Sequence, residues 1–251
     1  MSEETTHFGY QKIPVAHKTK RVSRVFESVA EQYDLMNDLM SLGLHRWWKK
    51  LAIARSLIQP DNTVLDLAGG TGDLTQEVIK QLGPNGRVIL ADINAAMLAK
   101  SREKLVNRGI LQGVSRIQAN AEDLPFHNNS IDRILMAFGL RNVTFKEKAL
   151  KEMARVLKPG GRMVILEFST VTSKPFGKLY DAYSFSVLPK LGKWLCNDEQ
   201  SYQYLAESIR VHPNQEELKS MILAAGFNRC DYQNIQAGVV ALHIGYKIKP
   251  V

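Results

Sequence analysis

The stretch Val64-Leu-Asp-Leu-Ala-Gly-Gly-Thr-Gly-Asp-Leu74 constrains this chain more than any other. Residues 63–67 form a short, mostly apolar run suited to a buried strand, and Gly69, Gly70 and Gly72 interrupt it at once. Leu74, Val78, Ile79 and Leu82 then keep helical spacing. A second apolar run, residues 87–90, closes at Asp92, 20 residues beyond Gly72. A doubly wound α/β sheet holds a nucleoside in this way. The glycines let the backbone approach the ligand, and the acid at the tip of the second strand takes the ribose hydroxyls. The pattern predicts an adenosine-like cofactor.

The residues flanking the turn decide which cofactor. A dinucleotide site wants a third glycine for close helix–strand packing, and that position is Thr75. A β-branched residue there argues against a pyrophosphate, and so against a nicotinamide oxidoreductase. Asp66 before the turn and Asp73 after it make the loop acidic, a poor cradle for phosphates and a good one for a cation. S-adenosylmethionine carries a sulfonium and an ammonium and no phosphate, so it is the expected cofactor. The predicted contacts are Asp66, Ala68, Gly69, Gly70, Thr71 and Gly72 in the loop. Asp92, Ile93 and Met97 follow the second strand.

The alternation of strands and helices predicts a mainly parallel, Rossmann-like seven-stranded sheet with helices on both faces. Further strands are expected at about 115–119, 131–137 and 163–168. A helix over 146–156 should stop at Leu157-Lys-Pro-Gly-Gly161. A helix from Pro213 to Gly226 leads to two last strands, about 230–235 and 239–246, whose short joint predicts an antiparallel C-terminal hairpin. Residues 1–20 read as a mobile arm. Residues 21–58 read as helices outside the sheet, so that 1–58 lies over the substrate site. Residues 59–251 form the cofactor domain in one structural unit, with a helical, aromatic insertion at about 170–210.

The 251 residues suffice for one large core. Two cysteines, Cys196 and Cys230, suggest no disulfide framework. The polar start is no secretory signal, and no run approaches the roughly 18 apolar residues of a membrane span. A cytoplasmic protein is expected. The net charge of +8 admits nucleic acid, anionic lipid or mere solubility. Residues 11–55 hold nine Lys or Arg against four acids, so much of the excess precedes the cofactor loop.

Asn120-Ala-Glu-Asp-Leu-Pro-Phe126 follows the third strand and should line the adenine, with Asn120 and the Ala121 amide at the base edge. Ala137-Phe-Gly-Leu-Arg-Asn142 ends the fourth strand, on the edge of the sheet where ligands bind. DNA-base amino-methyltransferases carry an acid-or-Asn-Pro-Pro-aromatic signature there. It is absent here, which lowers nucleic-acid bases as substrates.

Together these features resemble the class I S-adenosylmethionine-dependent methyltransferases. Tyr33-Asp-Leu-Met-Asn-Asp-Leu-Met-Ser-Leu-Gly-Leu-His-Arg-Trp-Trp48 and Arg155-Val-Leu-Lys-Pro-Gly-Gly-Arg-Met-Val-Ile-Leu-Glu-Phe-Ser169 sharpen the resemblance to the ubiquinone/menaquinone biosynthesis C-methyltransferase family. Phe138-Gly-Leu-Arg-Asn-Val143, Tyr180-Asp-Ala-Tyr-Ser-Phe185 and Tyr204-Leu-Ala-Glu-Ser-Ile-Arg210 extend it along nearly the whole chain. The resemblance implies methylation of a ring carbon on a polyprenylated benzoquinol or naphthoquinol. It carries cofactor contacts onto Thr71, Asp92, Asn120, Ala121 and Ala137, the last standing where bacterial relatives can have serine. It places the acceptor near Asp34, Asn37, His45, Phe138, Tyr180, Tyr183 and Arg210.

A sulfonium methyl is already activated, so neither a protein nucleophile nor a metal is expected. The quinol must lose a hydroxyl proton to become a good carbon nucleophile. Alignment of carbon, methyl and sulfur supplies on the order of 7–11 kcal/mol. Arg141 is the first choice to hold the phenolate or polarise a water, with Asn142, Tyr33 and His45 as donors or relay. A structural salt bridge at Arg141, and simple packing at His45, are the competing readings. Leu44-His-Arg-Trp-Trp-Lys-Lys-Leu51 mixes tryptophan, aliphatic and basic residues as interfacial segments do, or else packs its tryptophans inward. Expected partners are a membrane-borne quinol, the inner membrane face or a quinone-biosynthesis complex, and a second copy of the chain in a homodimer. Nucleic acid is not expected. The alternatives are a methyltransferase for another phenolic or lipid acceptor, a basic nucleic-acid-binding protein, and a noncatalytic subunit.

Overall fold

The computed structural model describes residues 4–28, 33–172 and 199–249, with positions 175, 177, 186, 190 and 194 between the last two segments. Strands β1 (Thr5–Phe8) and β2 (Gln11–Pro14) form an antiparallel hairpin that leads into helix α1 (Val15–Ser28). The expectation of a mobile arm over 1–20 is thus overturned. The hairpin has a dock: Phe8 stacks on Tyr204 with ring centroids 4.2 Å apart, and the Tyr10 N–H donates to Glu207 at 3.0 Å. Helices α2 (Tyr33–Ser41) and α3 (His45–Ser56) come next.

The cofactor domain opens with β3 (Thr63–Leu67), α4 (Asp73–Ile79), β4 (Arg87–Asp92), α5 (Ala95–Asn107) and β5 (Val114–Gln118). It continues with β6 (Ile131–Ala137), α6 (Lys146–Val156), β7 (Leu157–Phe168), α7 (Glu199–Val211) and α8 (Gln215–Ala224), and closes with β8 (Arg229–Ile235) and β9 (Val240–Tyr246). The seven-stranded sheet has the order β5-β4-β3-β6-β7-β9-β8. The first five of these pair in parallel, and β9 runs antiparallel to both β7 and β8. The expected parallel sheet with its antiparallel C-terminal hairpin is present. Pro159 and its glycines do end α6, but the chain enters β7 already at Leu157, six residues before the expected start. The irregularity is absorbed by a register shift against β6 between Ile131 and Arg133.

Strand β3 is buried at all five positions, as a central parallel strand covered on both faces must be. Apolar side chains pack on each face. On one, Val64, Leu135, Val164 and Leu242 meet Val22, Met36, Trp48 and Ile53 from the N-terminal helices. On the other, Leu65, Ile134 and Ile165 meet Leu150 and Met153 of α6 and Leu218 of α8. The N-terminal helices are therefore part of the main core. Residues 202–210 are helical as expected, whereas most of 176–188, with Tyr180 and Tyr183, lies outside the described residues.

Candidate active site

The carboxyl ends of β3 and β6 turn alike. Ala68 follows β3 at φ +53°, and Phe138 follows β6 at φ +59°. Both are non-glycine residues in the left-handed region, a strained arrangement that concentrates at functional sites. Between them opens a cleft of about 830 Å³, its mouth included. Gly139 packs against the first turn so closely that a Cβ on it would lie 2.7 Å from the Ala68 Cβ.

Asp92 stands in the cleft wall with its carboxylate held in place: Oδ2 accepts from the Gly70 N–H at 2.9 Å and Oδ1 from the Asn94 N–H at 2.8 Å. Burial pushes its pKa up, against these hydrogen bonds, which favour the charged form. Beneath the loop, Asp66 Oδ2 accepts from the Thr75 N–H at 3.0 Å and from the Thr75 hydroxyl at 2.6 Å. Thr75 therefore serves as the anchor of this acid, a use for its β-branched hydroxyl that the spacing argument did not foresee. Asp66 Oδ1 is buried without a hydrogen-bond partner, and burial raises the pKa to about 6.

Asp73 behaves differently from the expected cation-cradling acid. Lys49 of α3 reaches its Oδ2 at 2.7 Å and Lys104 of α5 its Oδ1 at 2.8 Å. Although burial opposes it, these ammonium groups hold the Asp73 carboxyl well below the usual carboxylate range. The charge is thus spent within the protein; of the other two acids Asp92 lines the cleft, whereas Asp66, a predicted contact, is fully buried behind its wall.

Of the predicted cofactor contacts, Ala68, Gly70, Asp92, Ile93, Met97, Asn120 and Ala121 line the cleft. Gly69, Thr71 and Gly72 complete the loop behind this wall, and Ala137 sits one residue behind Phe138, inside β6. Phe138 and Asn142 also line the cleft. The Tyr204 hydroxyl donates to Asn142 Oδ1 at 2.9 Å, which leaves the amide N–H groups of Asn142 for a ligand. Arg141 does not line the cleft. Its side chain is 3% exposed and its Nη1 donates to Glu167 Oε1 at 2.7 Å and to the Phe138 carbonyl at 2.6 Å. Its Nε is buried with no partner. Arg141 thus serves first as the buried brace of the turn after β6.

His45 and Asn37 belong elsewhere, at the α2–α3 corner. His45 Nε2 lies 3.0 Å from Asp38, and burial together with Lys49 lowers its pKa. This imidazole packs within the corner, away from the cleft wall. Tyr33 and Asp34 lie in the first turn of α2, and Arg210 is half-buried on α7, outside the wall. Tyr180 and Tyr183 lie outside the described residues.

The N-terminal helices were expected over the site, but none of the α1 residues that wall it was singled out. Thr19, Val22, Ser23 and Phe26 of α1 close the cleft opposite the sheet, and the Asn94 side-chain amide donates to the Ser23 hydroxyl at 3.1 Å and carbonyl at 3.3 Å. The helical spacing of Val22 and Phe26 was visible, but nothing local says what that face covers. Lys18, only 3% exposed, donates to the carbonyl of the cleft residue Val143 at 3.3 Å, and burial beside Lys146 draws its pKa down to about 8. In the sequence it was one basic residue among many.

Residues 15–247 match the ubiE/COQ5 methyltransferase family. The chain belongs to that family. It is 56% identical over 246 residues to the ubiquinone/menaquinone biosynthesis C-methyltransferase UbiE of Pseudomonas paraeruginosa, covering 98% of this chain and 96% of that protein. UbiE of Coxiella burnetii is likewise 56% identical over 246 residues, covering 98% of both chains. Among solved structures, an S-adenosylmethionine-dependent methyltransferase from Aquifex aeolicus shares the fold with TM-score 0.61 at 18% identity, over 87% of this chain and 97% of that one. Phosphoethanolamine N-methyltransferase 2 of Haemonchus contortus, solved with S-adenosyl-L-methionine, has TM-score 0.59 at 15% identity, over 80% of this chain and 52% of that one.

This ubiE/COQ5 family member is an S-adenosylmethionine-dependent methyltransferase with the class I fold. Its residues fit the cofactor. The unpartnered Asp66 Oδ1 is an anionic acceptor left over for a cation, and Asp92, fixed by two backbone N–H groups, can still accept from ribose hydroxyls.

Proposed function

We propose that the chain methylates a ring carbon of a polyprenylated quinol, 2-polyprenyl-6-methoxy-1,4-benzoquinol or demethylmenaquinol. The observation that carries this reading is the 56% identity, over 98% of the chain, to ubiquinone/menaquinone biosynthesis C-methyltransferases.

When bound, S-adenosylmethionine supplies a methyl group already activated by its sulfonium. The protein has then to bind, align and deprotonate the acceptor. Asp92, Asn120 and Ala121 would hold the nucleoside, and Asp66 would take the ammonium. The Asn142 amide, fixed by the Tyr204 hydroxyl, donates to the quinol oxygen. Arg141, its charge balanced by Glu167, keeps the turn and with it Asn142 in place. Phe138 and Phe168, with ring centroids 4.9 Å apart, and Trp48 beside them keep that end of the site dry. The acceptor's tail partitions into a bilayer, so the reading includes a peripheral position at the inner face of the membrane, on the cytoplasmic side. No described helix is long and apolar enough to cross a membrane.

The test is transfer from methyl-labelled S-adenosylmethionine to two reduced acceptors in detergent, a demethylated polyprenyl benzoquinol and demethylmenaquinol, with the product mapped by mass spectrometry. Label on a ring carbon is expected. Label on oxygen, or on neither acceptor while the cofactor still binds, overturns the reading.

A further inference from the structure

Helix α3 has two unlike faces. Its inner face, with His45, Trp48, Ala52, Ile53 and Ser56, is buried. Trp48 packs behind the candidate site, its ring 6.1 Å from that of the cleft residue Phe138 and 6.0 Å from that of Phe168, centroid to centroid. The outer face exposes Arg46, Trp47, Lys50, Ala54 and Arg55. Trp47 is 55% exposed, and the helix contains no acid at all.

The corner before α3 adds two leucines. Leu42 is 71% exposed and Leu44 38%. Leu42 is also held at φ +50°, beside Gly43 at φ +77°. A leucine in the left-handed region is strained where glycine would be relaxed. A large apolar side chain is here held toward water on a strained backbone.

We propose that the Leu42–Leu44 corner and the outer face of α3 form the surface by which this protein rests on an anionic lipid bilayer. The inference rests on the reading of a polyprenylated acceptor. Lipid is favoured over a protein partner by the mixture itself: leucines and a tryptophan to enter the acyl boundary, Lys50 and Arg55 to meet headgroup phosphates. Arg46 is engaged by Asp38 and contributes less. Geometry agrees. One helix diameter, about 10–12 Å, separates the outer face from the aromatic cluster that backs Phe138. A quinol head bound against Phe138 can therefore keep its tail in the bilayer.

The test is flotation with phosphatidylglycerol–phosphatidylcholine vesicles and with pure phosphatidylcholine vesicles. Fluorescence quenching by tail-brominated lipid is read in parallel, in a Trp194→Phe background. Wild type should bind the anionic vesicles at least tenfold better than the neutral ones, with part of the emission quenched. The Leu42→Ser/Trp47→Ser variant should lose at least tenfold in binding and all added quenching. Lys50→Glu/Arg55→Glu should lose the preference for anionic lipid. Turnover on a short-tailed, water-soluble quinol should be unchanged in both variants, whereas KM for a vesicle-borne acceptor should rise about tenfold.

Absence of vesicle binding by wild type, or equal binding by the Leu42→Ser/Trp47→Ser variant, overturns the proposal. So does a wild-type dimer in sedimentation velocity that this variant dissolves while vesicle binding is unaffected. Failure to methylate the soluble quinol, with vesicle binding intact, overturns the acceptor and leaves the surface standing.

Discussion

Asp66→Asn separates the cost of a buried charge from its use. The variant keeps an oxygen for the two Thr75 hydrogen bonds and deletes the carboxylate. In the folded chain burial raises the Asp66 pKa from 3.8 to about 6, opposed by Thr75 and by Lys49 and reinforced by Asp73. At about 1.36 kcal/mol per unit, the ionised form costs roughly 3 kcal/mol of stability. The folded chain holds this proton more tightly than the unfolded chain does. The stability linked to it is therefore complete below 3.8 and is lost as pH rises through about 6. Between pH 4.5 and 8 about two thirds of it goes, on the order of 2 kcal/mol. For a chain of this length the unfolding entropy is roughly 0.5 kcal/mol/K, so the difference in Tm is roughly 4 °C.

The assay is thermal unfolding of cofactor-free wild type and Asp66→Asn at pH 4.5 and pH 8, followed by circular dichroism. Any fixed cost of the asparagine amide cancels when the two pH values are compared. The variant should gain about 4 °C on wild type in going from pH 4.5 to pH 8. Saturating S-adenosylmethionine at pH 8 should stabilise wild type more than the variant, because only wild type offers a carboxylate to the ammonium. A Tm difference that is the same at both pH values refutes the argument from burial.

Arg141→Ala should lose turnover and keep cofactor affinity, read as kcat against the calorimetric Kd. It should also destabilise the fold by about 3–5 kcal/mol, because Glu167, its side chain 2% exposed, is left as an unpaired buried charge; near-normal turnover removes Arg141 from the chemistry. Tyr204→Phe deletes the bond that orients Asn142, worth about 1 kcal/mol. It should raise KM for the quinol about fivefold with cofactor affinity unchanged, and an unaltered KM shows that Asn142 needs no such support.

What the sequence made legible was local and periodic. Strand β3, its glycine turn, α4 and Asp92 form one contiguous pattern, and residues 63–67 and 131–137 fall where the apolar runs put them. The β1–β2 hairpin was not legible, since two four-residue strands are held by Tyr204 and Glu207, nearly 200 residues away. The same holds for α1. Its apolar spacing is evident, yet only tertiary packing reveals that Val22 and Phe26 face Asp92 across a cleft. Trp47 and Trp48 are adjacent and chemically identical, and the phase of one helix sends the first to solvent and the second into the core. At Arg141 the residue was found but its partner was not, because Glu167 enters from the neighbouring strand β7.

Asp73 carries a consequence for how the parts of this enzyme communicate. Its two oxygens are shared between Lys104, in the helix that follows Asp92, and Lys49, in the helix whose outer side carries Trp47. The glycine turn, where the donor is proposed to bind, and the helix that faces outward are thus fastened to one carboxylate. Thermodynamic reciprocity makes the coupling run equally in both directions. Whatever free energy donor binding passes to α3 through this fastening, engagement of α3 from outside returns to the donor in equal measure.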